Sequence, residues 1–156
     1  MSLPHILNSM SLAEAQDALT RGIDNGTSCP CCGQFAKVYK RKMRSSLAHW
    51  LIWLVLKSRD SEDGWADVRQ ASVRNGEYAM VAHWGLAVQK MNESTAKKHS
   101  GLWMPTDLGV QFVEGVLKVP SHVHLYDNSV VGWSNKMITV VEALGEHFDY
   151  QELMSA

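Results

Sequence analysis

The segment His83-Trp84-Gly85-Leu86-Ala87-Val88 decides the fold, because a helix and a strand meet within it. The residues that lead into it, 77–84, predict a helix that the glycine ends. The residues that follow, 86–91, predict a strand, and residues 101–104 predict its antiparallel partner across the polar loop 92–100. The segment therefore predicts a helix that runs directly into a two-stranded hairpin.

The chain on either side of this segment supplies further helices. Residues 45–58 begin with two serines that can cap a helix, and their apolar side chains recur at helical spacing. This apolar stripe consists of Leu47, Trp50, Leu51, Leu54 and Val55. A brief helix capped by Asp67 follows, and Pro105-Thr106-Asp107 starts another helix after the hairpin. The predicted order of helix, short helix, helix, strand, polar loop and strand is that of a winged helix.

Two motifs within this order resemble the MarR-type regulators. Residues 83–88 look like the point at which the recognition helix of those proteins passes into the first wing strand. Thr106-Asp107-Leu108-Gly109 looks like their Leu-Thr-x-x-Gly sequence after the wing, with Pro105 in place of the leucine. The resemblance covers residues 45–116. It implies a third helix that enters the major groove of DNA and a wing that contacts the minor groove or the backbone.

The resemblance implies a DNA-binding surface made of the third helix, the wing and the stretch before the first helix. The candidate DNA-binding residues are Lys40, Arg41, Lys42, Arg44, Arg69, Arg74, Asn75, Tyr78, Lys90, Lys97 and Lys98. Residues 77–84 contain no Lys or Arg. The third helix itself is therefore expected to neutralise few phosphates.

Most of the chain also resembles a group of phage and prophage proteins. The group shares a Cys-Pro-x-Cys-Gly knuckle and a Tyr-Lys-Arg-Lys stretch, which occur here at residues 29–33 and 39–42. Its His-Trp-Gly-Leu turn, Gly-Leu-Trp-x-Pro-Thr wing return and Phe-Asp-Tyr-x-Glu-Leu tail occur at residues 83–86, 101–106 and 148–153. This resemblance implies a phage or mobile-element origin and assigns no activity.

The three cysteines lie together in Cys29-Pro30-Cys31-Cys32-Gly33. The spacing of Cys29 and Cys32 lets one turn direct two sulfurs at one ion, so Zn²⁺ is the candidate cofactor. Cys31 and His49 are candidates for further ligands, and other histidines or a second chain could complete the sphere. A knuckle without metal and a redox pair remain alternatives. This cluster is not a secreted disulfide framework, which favours a cytoplasmic protein, in the host cytosol if the protein is phage-encoded.

The flanking residues predict smaller elements. A Ser-x-x-Glu capping box at residues 11–14 starts a helix, and residues 35–42 predict a short strand. Residues 119–133 predict a hairpin with Asp127-Asn128 at its tip. A second capping box at residues 139–142 and Asp149 start two short C-terminal helices.

The predicted fold class is α+β, with a winged helix-turn-helix core. Residues 1–44 form an N-terminal part with a helix, the Cys knuckle and a basic strand. Residues 45–118 form the winged-helix domain, and residues 119–156 form a C-terminal hairpin with short helices. The N-terminal helix and the acidic C-terminal segment are candidates for packing in a homodimer, because one small wing reads few bases.

The composition of the chain limits the classes of protein to which it can belong. The chain has 156 residues, of which 46% are hydrophobic and 20% are charged, as in an ordinary globular protein. Net charge is −1, yet residues 37–98 hold 12 basic and 6 acidic side chains. That basic middle allows a polyanionic partner. No apolar run approaches the roughly 20 residues of a membrane span, so no membrane association is expected.

These observations give three hypotheses. The first is a phage-type DNA-binding protein that regulates transcription or another transaction of double-stranded DNA. The second is a phage-encoded inhibitor or adaptor that binds a host protein, such as a defence complex, through the same scaffold. The third is a metal-dependent nuclease that uses His122, His124 and Asp127, although the sequence contains no established catalytic motif. The expectation is therefore that the protein is not an enzyme.

Overall fold

The computed structural model describes residues 9–71, 77–91 and 100–156 of the chain. It is a mixed α+β structure built from helices and small sheets. Along the chain the elements are α1 (Leu12–Gly22), β1 (Thr27–Ser28), β2 (Phe35–Ala36), β3 (Tyr39–Lys42), α2 (Ser45–Asp60), β4 (Ala66–Asp67), β5 (Ala87–Gln89), β6 (Leu102–Pro105), α3 (Asp107–Val113), β7 (Val119–Pro120), β8 (His122–Tyr126), β9 (Ser129–Trp133), β10 (Met137–Ile138), α4 (Val140–Leu144) and α5 (Tyr150–Met154). Two 3₁₀ helices, Val68–Gln70 and Tyr78–Trp84, lie between β4 and β5.

The chain divides into two compact units. The first contains Met1–Arg41 and His124–Gly132, and the second contains Lys42–Val123 and Trp133–Ala156. In the first unit, the predicted capping box is confirmed: the Ser11 hydroxyl accepts a hydrogen bond from the Glu14 amide, and α1 begins at the next residue after Ser11. The antiparallel hairpin β1–β2 follows α1 and carries the cysteines in its loop.

The core of the second unit is built around α2. Seven of its 16 residues are buried, including the whole predicted apolar stripe. The helices α3, α4 and α5 and the strand β6 all pack on α2. Only Lys57, Arg59 and Asp60 of this helix are exposed, as expected for a helix at the centre of a small domain rather than at its edge.

A three-stranded sheet of order β4-β6-β5 also belongs to the second unit. Both pairings are antiparallel, with Ala66 opposite Trp103 and Val88 opposite Met104. The predicted strands before and after the polar loop are thus confirmed as β5 and β6. The β4 pairing was not expected, because two residues are too few to show a periodic pattern.

The predicted C-terminal elements are confirmed. The strands β8 and β9 meet at Asp127 and Asn128, whose φ values of 50° and 61° are the left-handed values that a tight two-residue hairpin turn requires. The Thr139 side chain caps α4, and the Asp149 side chain caps α5. A third sheet of order β3-β8-β9, most of which belongs to the first unit, and the pair β7–β10 complete the fold.

Two predictions about local structure were wrong in detail. The predicted third helix is a 3₁₀ helix, Tyr78–Trp84, which Gly85 ends at a φ of 73°. The apolar side chains Val81 and Trp84 are buried at three-residue spacing, which suits the tighter helix. The predicted strand 35–42 is divided into β2 and β3, and between them the Val38 amide donates to the Ile23 carbonyl at 2.9 Å.

Candidate nucleic-acid interface and cysteine knuckle

The strand β3 presents the densest positive charge among the described residues. All four of its side chains are exposed, and three of them are Lys40, Arg41 and Lys42. None of these three forms an ion pair with a described residue. Their charge is therefore available to a partner from solution.

The Tyr39 ring lies between two of the cations of this stretch. The Lys37 ammonium is 5.7 Å from the ring centroid and the Arg41 guanidinium carbon is 5.3 Å from it. Residues two apart on an extended chain share a face, so Lys37, Tyr39 and Arg41 point the same way. Lys40 and Lys42 alternate with them on the other face of the strand.

Two further candidate cations of the second unit are already paired with carboxylates. Arg44 contacts Glu77, and both side chains are about half exposed. The Arg69 guanidinium donates to the Asp67 carboxylate at 2.7 and 3.0 Å. Those hydrogen bonds, together with one from the Arg69 amide, hold the pKa of the Asp67 carboxyl below its usual value. A phosphate would have to compete with these partners.

Tyr78 belongs to an aromatic cluster with Trp50, Trp53 and Trp103. Its ring stacks on Trp50 at a centroid distance of 4.9 Å and meets the edge of Trp103 at 5.7 Å. One face of the tyrosine ring is therefore covered by the core. The remaining contact surface of this residue is smaller than the sequence suggested.

Of the remaining candidate DNA-binding residues, Lys90 lies among the described residues and four do not. The Lys90 ammonium lies 5.7 Å from the centroid of the Trp65 ring, which is a cation–π contact. Arg74, Asn75, Lys97 and Lys98 lie outside the described residues.

A cavity of about 320 Å³ lies in the second unit. It is lined by Arg69, Tyr78, Ala79, Gln89, Ser100, Gly101 and Trp103. Sequence reasoning missed Gln89 and Ser100. Neither residue belongs to a motif, and the antiparallel pairing of β5 with β6 is what brings them near the cavity.

The cysteine knuckle is a closed loop at the end of the β1–β2 hairpin. The Cys29 amide donates to the Gln34 carbonyl at 2.7 Å, and the Gly33 amide donates to the Cys29 carbonyl at 2.8 Å. Hydrogen bonds from the backbone amides of Cys31 and Cys32 to the Cys29 sulfur lower the pKa of that thiol. All three cysteines are free thiols.

The structure gives no complete metal centre among the residues it describes, because no three His, Cys, Asp or Glu side chains there are arranged to hold one ion. His49 instead packs against Phe148, with ring centroids 4.2 Å apart. Its Nδ1 is buried without a hydrogen-bond partner among the described residues, and burial lowers the pKa of the imidazole. His49 thus has the surroundings of an interior histidine.

The residues of the nuclease hypothesis have other neighbours. The His122 Nδ1 lies 2.9 Å from the Ser121 hydroxyl, which in turn lies 3.0 Å from the Ser134 hydroxyl. Ser121 is buried, and its sequence context gave no sign of this polar cluster. His124 packs against Gly132, where an added Cβ would be 3.3 Å from the imidazole Nδ1.

Comparison of the chain with protein-family models, with curated proteins and with solved structures gives no match. Among the helices of the described residues, none combines the length and the apolar character needed to cross a bilayer.

Proposed function

We propose that the protein binds double-stranded DNA, with a winged helix in its second unit and the cations of β3 as phosphate contacts. The order α2, β4, two 3₁₀ helices, β5 and β6 supports the winged helix, as does the sheet order β4-β6-β5. In such a fold the short strand after the first helix pairs with the outer wing strand, and the wing strands pair with each other. The hairpin β5–β6 is then the wing.

The hydrogen bonds of Thr106 support a wing held in a fixed orientation. Its hydroxyl donates to the Gly85 carbonyl at 2.6 Å and accepts from the Gly109 amide at 3.1 Å. The same residue therefore caps α3 and ties it to the turn before β5. A wing tied in this way loses little conformational entropy when it contacts DNA.

The single observation that carries the proposal is the exposed cationic run Lys40, Arg41 and Lys42, which forms no ion pair with the residues that the structure describes. Arg44 and Arg69 are bound to carboxylates, so the β3 cations offer the strongest attraction for phosphates. Such contacts release condensed counterions and act at any sequence. The proposed activity therefore has a strong salt dependence and a large component that does not depend on sequence.

The test is fluorescence anisotropy of a labelled random duplex across a salt series. A variant with Lys40→Ala, Arg41→Ala and Lys42→Ala removes three contacts, so the slope of log K against log salt should fall by about 2.7. If affinity at 1 M salt is unchanged, the loss at 0.1 M salt is up to roughly 500-fold.

The matched control removes the same charge elsewhere. Lys57, Lys118 and Lys136 are also exposed, and none of them is a candidate contact. Their triple replacement by Ala should leave most of the slope intact. Equal losses from the two triple variants would show that only net charge matters, and absence of binding at low salt would reject the DNA-binding proposal.

A protein-binding function is the second candidate, and a specific observation favours it. The strand β9 lies at one edge of the sheet β3-β8-β9 and exposes Val130, Val131 and Trp133. Apolar side chains on an open strand edge suit the addition of a strand from a partner. A phage-encoded inhibitor or adaptor would use such an edge on a host protein. Replacing Val131 by Gln should abolish capture of a host protein and leave DNA binding unchanged, because the substitution alters no charge.

A further inference from the structure

The Cys29 and Cys32 thiols lie together in the loop of the β1–β2 hairpin. Both residues line the same cavity of about 330 Å³ in the first unit, whereas Cys31 does not line it. Hydrogen bonds from the Cys32 thiol and, to a smaller extent, from the Cys31 thiol help to lower the pKa of Cys29, so both of these sulfurs lie near the Cys29 sulfur, and the shared cavity is what distinguishes Cys32. Cys29 is half-buried and Cys32 is exposed, which leaves the pair open to solvent.

We propose that two copies of this chain share one Zn²⁺ ion, with Cys29 and Cys32 of each copy as its four ligands. The ion binds thiolates, so each ligand releases its proton to solvent as its Zn–S bond forms. The metal keeps its oxidation state throughout, and no other reactant is needed.

The backbone holds the loop around the pair in one conformation. The two backbone hydrogen bonds between Cys29, Gly33 and Gln34 close the loop. Gly33 has a φ of 77°, which lets the loop turn back at a position where most side chains would be strained. The ligand pair is thus positioned before any metal arrives.

The described residues of one chain supply two of the four ligands that a structural zinc ion needs. Such a site is tetrahedral and closed, with four sulfur or nitrogen ligands. The described part of the chain adds no third His, Cys, Asp or Glu to this pair. A second copy presents the same two sulfurs, and an isologous contact brings both pairs to the symmetry axis. The two cysteine pairs together supply the four ligands that the ion requires.

The experiment is a titration of the reduced, metal-free full chain with Zn²⁺ and, separately, with Co²⁺ as a spectroscopic probe. Metal per chain is measured by elemental analysis, and mass is measured by sedimentation in the same samples. We expect one ion for every two chains, a monomer-to-dimer change on metal addition, and a Co²⁺ charge-transfer band with the intensity of four thiolates. Chelation should return the monomer.

Three single variants sharpen the test. Cys29→Ser and Cys32→Ser should each weaken Zn²⁺ binding by at least about 100-fold, because even outer-sphere partners of a metal contribute 10–100-fold. Cys31→Ser is the matched control, since it removes a thiol from the same loop and should leave stoichiometry and mass unchanged. Circular dichroism of each metal-free variant checks that the chain remains folded.

Several outcomes would overturn the shared site. One ion per chain in a monomer would show that a single chain completes the sphere, and loss of that binding in His5→Ala would identify the ligand. Equal loss in Cys31→Ser would reject the assigned pair. No binding by the reduced chain would reject the site altogether. The titration contains no DNA, so its failure and the failure of the DNA-binding proposal are independent.

Discussion

Replacing Gly109 by Ala tests the packing that ties α3 to the turn before β5. Gly109 is buried in the first turn of α3, where an added Cβ would lie 2.0 Å from the Leu86 carbonyl oxygen and 3.0 Å from its carbonyl carbon. Both atoms belong to the backbone and cannot rotate away. The same Leu86 oxygen accepts a hydrogen bond from the Thr106 amide at 3.0 Å. The substitution therefore forces α3 and the turn apart.

The substitution has two opposite effects on the free energy of unfolding: a gain from helix propensity and a loss from overpacking. Helix propensity alone predicts that Gly→Ala stabilises a helix by about 1 kcal/mol. Overpacking of a tight backbone contact costs up to about 3 kcal/mol, and loss of the Thr106 hydrogen bond adds about 1 kcal/mol. We expect the free energy of unfolding to fall by about 3 kcal/mol, which lowers Tm by roughly 6–12 °C for a chain of this size.

Urea unfolding followed by tryptophan fluorescence measures this change in the correct part of the molecule. All six tryptophans lie in the second unit, as does Gly109. Leu108→Ala is the control, because Leu108 is the preceding residue on the same helix and is 47% exposed. It should cost no more than about 1 kcal/mol. A Gly109→Ala variant as stable as the wild type would refute the close approach of α3 to Leu86.

Two further predictions concern buried polar groups. Because burial lowers the pKa of His49 from its ordinary 6.5, the unfolded chain takes up a proton first as pH falls, so this contribution to stability is complete above pH 6.5 and is lost below it. The free energy of unfolding should therefore fall less between pH 7.5 and pH 5 in His49→Gln than in the wild type, and parallel profiles would contradict the assignment. Trp84→Phe removes the donor that the Pro120 carbonyl accepts at 2.8 Å, whereas Trp103→Phe removes a buried N–H that has no partner among the described residues. Urea unfolding should show Trp84→Phe to be more destabilising by at least about 1 kcal/mol, and the reverse order would be inconsistent with these contacts.

The elements that the sequence predicts best are those with strong local signals. Ser11 with Glu14 and Thr139 with Glu142 start helices as capping boxes, and each box satisfies two backbone donors without help from distant residues. The Asp127-Asn128 turn is predicted for the same reason, since these residue types tolerate a positive φ. Such local preferences do not depend on tertiary contacts, so they can be predicted from a few neighbouring residues.

The elements that the sequence predicts poorly depend on tertiary contacts. The spacing of Val81 and Trp84 fits both helix types over so few residues, and packing selects the 3₁₀ form. The strand β4 exists only because β6 lies beside it.

The candidate interface shows the same division. The basic run without acidic residues is evident in the sequence, and the structure shows that its side chains in β3 are exposed. The pairing of Arg44 with Glu77 could not be predicted, because the partners are 33 residues apart and only the fold brings them together. The stacking of Tyr78 on Trp50 is a long-range contact of the same kind.

The central position of α2 has a consequence for exchange of backbone hydrogen with deuterium. Its buried residues contact three helices and the strand β6, so its amides cannot reach solvent while those neighbours stay in place. Amides in such a position exchange only when the whole cooperative unit opens. Residues 47–55 should therefore be the slowest to take up deuterium, and their rate should report the opening free energy of the entire second unit.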